Sequence, residues 1–335
     1  MQMSEKLLRV KNLKTYFYTS SGIVKAVDGV NFSLKTGKTL GIVGESGSGK
    51  SVTASSIMRL IQSPPGKITD GEIMFEDKDI LKLSENEMLK LRGNDISMIF
   101  QDPMTALNPV FTIGYQITET ILVHQKISKH EAKAKAIKAL EVVGIPDAAE
   151  RYGSYPYEFS GGMRQRVMIA MALACDPKLL LADEPTTALD VTIQAQILEL
   201  MKNLQKKFNM AIIIITHDLG VIWEMADYVM VMYAGKTVEY TDTNTLYMKS
   251  RHPYTWGLLD SIPKRNNDKY EELSTIDGNP PDLRTTGKGC NFAGRCPYAE
   301  AICENKPPEL VEVEPDHFVA CHFQKSDKSL ERRKR

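Results

Sequence analysis

The sequence has no long apolar run. Its longest candidates, Val167–Ala174 and Ala211–Ile215, fall well short of the about eighteen residues that cross a bilayer as a helix, and no signal peptide opens the chain. A helical membrane-spanning protein is thereby excluded. The expectation is a cytosolic chain that meets a membrane, if at all, through partners. Charge of one sign is also missing: 42 Lys and Arg stand against 42 Asp and Glu. No net field gathers nucleic acid, and the short basic tail at 331–335 reads as a solvated terminus. Heptad tracts, long repeats and low-complexity segments are absent. Cysteine is scarce, five in 335 residues, and unevenly placed. Cys175 stands alone after an apolar segment and reads as core. Cys290, Cys296, Cys303 and Cys321 cluster near the C-terminus, a pattern that favours metal over disulfides in a reducing compartment.

What remains is an ordinary globular composition, 42% hydrophobic and 25% charged, over a length that suggests about two domains. Its organising stretch is Gly41-Ile-Val-Gly-Glu-Ser-Gly-Ser-Gly-Lys-Ser51. Gly44 to Ser51 fits G-x-x-x-x-G-K-[ST]. Glycines let backbone N–H groups turn inward around a polyphosphate. Lys50 adds a positive charge for the β- and γ-phosphates, and the Ser51 hydroxyl is placed to bind Mg²⁺. Apolar residues precede the loop and Val52–Leu60 reads as a helix after it, so the anion sits at a helix N-terminus.

Further along, Leu179-Leu-Leu-Ala-Asp-Glu184 is an apolar strand ending in two carboxylates. Asp183 is placed to hold Mg²⁺ and Glu184 to polarise an attacking water. Ser160-Gly-Gly-Met-Arg-Gln165 opens a helix whose glycines expose N–H groups to a phosphate. Gln101 and His217 each close a short apolar strand; the first can reach Mg²⁺ or the water, the second the γ-phosphate. Alone, each is a polar strand end. Together they point to one nucleotide site.

The rest of the chain alternates strands and helices, which predicts a mostly parallel sheet with ligand at the strands' C-terminal ends. β-structure is expected around Leu8, Val10 and Gly29–Leu34, then at Gly71–Phe75, Ile96–Phe100, Leu179–Ala182 and Ile212–Ile215, with a helix at Val191–Phe208. Capping boxes run from Ser84 to Glu87 and from Ser128 to Glu131, and Gly144 is a predicted C-cap. Residues from Pro103 to about Ser160 form a helical block inserted in the α/β core. Residues 262–289 read as a polar linker.

In this order the motifs resemble the ATPase subunits of ATP-binding-cassette (ABC) transporters, and within them the dipeptide/oligopeptide importer subunits. The resemblance runs along essentially the whole chain. It implies a P-loop nucleotide-binding domain over 1–261, with a RecA-like α/β core, an antiparallel β-subdomain and a helical subdomain at about 103–165. It also implies a C-terminal extension over 262–335. ATP would be cradled by Gly44, Ser46, Gly47, Ser48, Gly49, Lys50, Ser51 and Val52, with an N-terminal aromatic, Phe17 or its neighbours Tyr16 and Tyr18, stacked on adenine. Mg²⁺ would be held by Ser51, Gln101 and Asp183. Glu184 is the implied catalytic base and His217 the switch histidine. Ala188-Leu189-Asp190 is the D-loop. Ser160 and Gly162 would serve the nucleotide of a second, homologous ATPase in a head-to-tail dimer. Two permeases and an extracytoplasmic peptide-binding protein would complete the assembly at the cytoplasmic face of the membrane. Residues 101–112, with Met104, Leu107 and Pro109, are candidates for the permease groove.

The importer resemblance rests on Val238-Glu239, His252-Pro-Tyr-Thr255, Leu258-Leu259, Ser261-Ile-Pro263, the Gly289–Cys303 segment and His317-Phe-Val-Ala-Cys-His322. The cysteines are spaced C-x5-C-x6-C-x17-C, without a C-x2-C knuckle. Four thiolates can hold [4Fe–4S] or Zn²⁺. The missing knuckle favours the cluster, with Zn²⁺ as the alternative and cysteines packed without metal as the third. Either metal would be structural. A nickel importer remains an alternative by cargo. A soluble ABC ATPase acting on ribosomes or DNA is a second class, opposed by the single cassette and the lack of a coiled-coil tract. A nucleotide sensor without turnover is opposed by intact Glu184 and His217.

Overall fold

A computed structural model describes residues 6–102, 106–187, 189–262, 275–324 and 330. Expectations that fall on Pro103, Met104, Ala188, Pro263, linker residues 263–274 and the tail 331–335 lie outside the described residues. Two compact units are present. One comprises Met1–Leu7, Leu34–Thr39 and Glu76–Ile215; the other comprises Leu8–Ser33, Leu40–Phe75 and Thr216–Arg335.

The first unit is built on three parallel strands, Ile96–Ile99, Leu179–Asp183 and Ala211–Ile215, with Leu179 between Ile96 and Ala211 in register. Every residue of the second and third strands is buried. A parallel strand covered on both faces needs an unbroken apolar run, and that is why these segments stand out in the sequence. Each fully buried Leu or Ile in them contributes about 1.5–3 kcal/mol by leaving water.

Both capping boxes are present: Ser84 opens the helix Glu85–Leu91 and Ser128 opens Lys129–Val142, each with its glutamate reaching back. The inserted block is not one continuous helical stretch. It holds Ile113–His124, Lys129–Val142 and the single turn Ala148–Arg151 before the helix Gly161–Leu173. Gly144 takes φ +76 just past its helix, the left-handed stop expected of it. Cys175 is buried, as its surroundings require.

The second unit contains strands in the order Val311–Glu314, His317–Val319, Lys236–Asp242, Tyr228–Tyr233 and Thr39–Val43. Only the last pair is parallel; the others run antiparallel. An antiparallel group, Gly22–Lys35, Lys6–Thr19 and Gly66–Phe75, accompanies them. Gly66–Phe75 begins before the expected Gly71. That glycine marks a bulge rather than a start: it takes φ +117, and a Cβ there would lie 2.8 Å from the Leu13 Cα. The helix after the phosphate loop is Lys50–Ile57, shorter than Val52–Leu60, and Arg59 leaves it with φ +50.

The C-terminal segment holds two strands that the sequence did not announce. His317–Val319 pairs with Lys236–Asp242 through Glu239↔Val319 and Tyr240↔Phe318. At three and four residues these strands are too short to show a period-2 pattern. Among the described residues, no helix is long and apolar enough to cross a membrane.

Candidate functional site: a phosphate loop and a carboxylate strand end

The phosphate loop is shaped by close backbone approach. A Cβ on Gly44 would stand 2.1 Å from the Met232 carbonyl oxygen, and one on Gly49 2.2 Å from that of Ala26. Both take left-handed φ values, +149 and +102. Only glycine fits, for steric and conformational reasons together. Gly47 takes φ +76 but faces open space. Gly49 caps the helix Lys50–Ile57 and makes no side-chain cap hydrogen bond, as suits a helix start that would receive an anion. The buried Lys50 ammonium donates to the carbonyls of Gly44 (2.8 Å) and Glu45 (2.9 Å), so it is folded over the loop it would serve. Ser46, Ser48, Ser51 and Val52 lie in the same turn and first helical turn, Ser48 buried and Ser51 exposed.

In the other unit, Asp183 ends its strand buried and Glu184 follows with φ +48. A left-handed conformation in a non-glycine residue costs about 1 kcal/mol or more and is commonest at functional sites. Glu184 Oε2 accepts from Gln101 Nε2 at 3.0 Å and from Thr187 Oγ1 at 2.8 Å, while its amide donates to the Ile215 carbonyl. Gln101 and Glu184, 83 residues apart, are therefore brought into contact. Thr187 was not singled out from sequence; its only signal is its place three residues after the acid.

Ser160 caps the helix Gly161–Leu173, accepting from the Met163 amide. Gly162 has a packing reason of its own: a Cβ there would meet Ile193 Cγ2 at 2.8 Å. Asp190 caps the helix Val191–Phe208. His217 is exposed at the end of its strand, and its neighbour Asp218 caps the next helix, Leu219–Met225. Among the aromatic candidates, Tyr16 is engaged: its hydroxyl donates to Asp28 at 2.7 Å. Phe17 is half-buried against Gly66, and Tyr18 is exposed.

Sequence comparison narrows what such a site belongs to. The ABC transporter family model matches residues 27–187, and that of the oligopeptide/dipeptide transporter C-terminal region matches 238–303. The oligopeptide transport ATP-binding protein OppD of Bacillus subtilis (strain 168) is 57% identical over 314 residues, which is 94% of this chain and 88% of that protein. This chain belongs to the ATP-binding proteins of oligopeptide and dipeptide ABC transporters. Within the family, the dipeptide transport ATP-binding protein DppD of B. subtilis is 53% identical over 96% of this chain and 95% of its own length. OppD of Escherichia coli (strain K12) is 52% identical over 96% and 94%. A solved dimeric ATP-binding cassette in a post-hydrolysis state with ADP and phosphate aligns at TM-score 0.64 and 28% identity, over 70% of this chain and 98% of that one. The ABC-type P-loop fold is thereby established.

The family's C-terminal segment is where expectation and structure part. Among the described residues, no group of three or more His, Cys, Asp or Glu side chains is arranged to hold a metal ion. The expected four-thiolate site is not formed as a ligand shell. Cys290, Cys296, Cys303 and Cys321 nevertheless line one cavity, together with His252, Phe292 and His322. Burial pushes the thiols of Cys290 up to about 11 and Cys296 up to about 12, and raises Cys321 as well. Near pH 7 these thiols are neutral unless a cation displaces their protons.

Beside the cavity lies a buried polar network. Glu239, wholly buried, accepts from the amides of Arg251 (2.7 Å) and His252 (3.0 Å), and its Oε1 lies 2.8 Å from His317 Nε2. Burial pulls His252 down to about 4, so it is neutral at pH 7. His317 is thus tied to Glu239, and His322 Nε2 lies 2.8 Å from the Lys306 carbonyl. Val238-Glu239 carried only a resemblance in the sequence. A buried carboxylate cannot be told from a surface one without its partners.

Proposed function

We propose that this chain is the ATP-hydrolysing subunit of a dipeptide or oligopeptide importer. The observation that carries this reading is the 57% identity to OppD of B. subtilis over 94% of the chain. The intact phosphate loop and the Gln101–Glu184 contact agree with it. In this reading Gly44, Ser46, Gly47, Ser48, Gly49, Lys50, Ser51 and Val52 cradle the phosphates, with the Lys50 ammonium on the β- and γ-phosphates. Ser51, Gln101 and Asp183 would hold Mg²⁺, which would supply charge neutralisation on the transferring phosphoryl group. Glu184, its orientation fixed by Gln101 and Thr187, accepts a proton from the attacking water. His217 fixes the γ-phosphate, and Phe17 stacks on adenine. Ser160 and Gly162 contribute to the nucleotide bound by a second, homologous ATPase subunit. ATP joins the two and hydrolysis parts them, because only the closed state binds ATP tightly.

The remaining partners follow from the same reading: two permease subunits and an extracytoplasmic peptide-binding protein, with this chain peripheral on the cytoplasmic face. Residues 101–112, including Leu107 and Pro109, would rim the permease groove. Residues 262–335 would form the importer extension. Nickel import and action on ribosomes or DNA draw no support from the relatives named above.

The four cysteines line one cavity, although among the described residues no group is arranged to hold a metal ion. We assign Cys290, Cys296, Cys303 and Cys321 as ligands of a [4Fe–4S] cluster, with Zn²⁺ the alternative. The cluster would cross-link the segment. Metal analysis of protein purified without oxygen tests this: about four irons per chain are expected of such a cluster. One zinc per chain changes the metal, and neither metal removes the site. The function itself is tested with Glu184→Gln. Its expected effect is a loss of turnover of about a thousandfold, the scale of a missing general base, with ATP binding retained and peptide uptake abolished. Unchanged turnover removes Glu184 from its role.

A further inference from the structure

Glu45, the first variable residue of the phosphate loop, is held at three points. Its amide donates to the Tyr254 hydroxyl (2.9 Å), its carbonyl accepts from Lys50, and its carboxylate takes both terminal nitrogens of Arg295. Arg295 lies 250 residues away in the cysteine-bearing segment, directly before Cys296. Its Nη1 donates to Glu45 Oε2 at 2.7 Å and its Nη2 to Oε1 at 3.0 Å. Its other N–H groups are used as well: Nε donates to the Asp277 carbonyl (2.9 Å), Nη2 to that of Ile276 (3.1 Å) and Nη1 to the Tyr233 hydroxyl (3.2 Å). The arginine side chain is 7% exposed and the glutamate 27%.

A guanidinium with every donor engaged in a nearly buried place holds one geometry. What it holds is an acid in the loop that must accept a polyphosphate. Left unpaired, that acid would repel the γ-phosphate and free the loop's first turn. We propose that Arg295 is a positioning residue for ATP binding: the C-terminal segment reaches back to neutralise Glu45 and fix the phosphate loop. The inference rests on the nucleotide reading above and adds a second role to the segment. Mere anchoring of the segment would also use these bonds, but it would not make ATP affinity depend on the charge of Glu45.

The test measures binding of a fluorescent ATP analogue to the full chain, with Lys50→Ala as the non-binding reference. Arg295→Ala is expected to weaken binding about tenfold, the scale of an uncompensated charge beside a ligand of like sign. KM for ATP rises with it and kcat does not change. Glu45→Gln stays near wild type, and the double variant Glu45→Gln/Arg295→Ala recovers most of the loss because the repelling charge is gone. The Arg295→Ala deficit shrinks as salt is raised. Wild-type affinity in Arg295→Ala, or a double variant as weak as Arg295→Ala, overturns the proposal. If Arg295→Ala does not fold, Arg295→Gln is read instead: it keeps a long polar side chain and loses the charge that neutralises Glu45, so a raised KM at unchanged kcat is expected. An unchanged KM overturns it. Absence of binding by the wild-type chain sinks the nucleotide reading and this proposal together; the other overturning results leave that reading standing.

Discussion

The phosphate loop and the cysteine-bearing segment are both built around small residues at fixed spacing, yet they depend on different parts of the chain. In the loop, backbone shape is everything. Gly44 and Gly49 pass within about 2 Å, for an added Cβ, of main-chain carbonyls that cannot move aside. In the segment, side-chain chemistry dominates. Cys290 to Cys321 surround a cavity beside the buried Glu239, His317 and His252. A motif that fixes backbone is self-contained and can be read from a dozen residues. A motif that fixes side chains needs partners from elsewhere, and its meaning stays open until those are known.

That contrast can be broken at single residues. The largest effect is expected at Gly49→Ala. Its Cβ must displace the Ala26 carbonyl and its φ is left-handed, so a cost of about 3 kcal/mol or more is expected, together with loss of nucleotide binding. Urea unfolding and nucleotide binding report the two losses, and a stable, ATP-binding Gly49→Ala protein would refute the account of the loop. Nearly as large is His317→Ala. It takes from the wholly buried Glu239 the one side-chain partner observed for it among the described residues, and breaking a buried pair costs about 3 kcal/mol. Thermal melting measures it. Nucleotide affinity should hold, since His317 touches no loop residue in the hydrogen bonds observed. Smallest is Gly47→Ala. The site is open and only its φ of +76 is unfavourable, so the expected cost is about 1 kcal/mol. Equal losses at Gly47 and Gly49 would mean that conformation, not close approach, shapes the loop.

Much of the first unit was legible because buried parallel strands must be apolar without a break; Leu179–Asp183 and Ala211–Ile215 could be nothing else. The capping boxes at Ser84 and Ser128 were equally plain, since each is a local exchange of hydrogen bonds within four residues. Illegible were the contacts that close over long sequence distances. Gln101 reaches Glu184, Arg295 reaches Glu45, and His317 reaches Glu239. Each pairs residue types that on a surface would be solvated and unremarked.

By itself the sequence determined that this chain carries a phosphate loop, a carboxylate-ended strand and the family to which both belong. Those are properties of short segments, set by steric limits on backbone and by the apolar demand of a buried strand. Tertiary structure alone decided that the C-terminal segment adds two strands beside Lys236–Asp242. It also decided that this segment sends an arginine to the phosphate loop and gathers its four cysteines around one cavity. Those are pairings between residues far apart in the chain, and no local preference encodes them; they exist only once burial has made an unpaired charge too costly to leave alone.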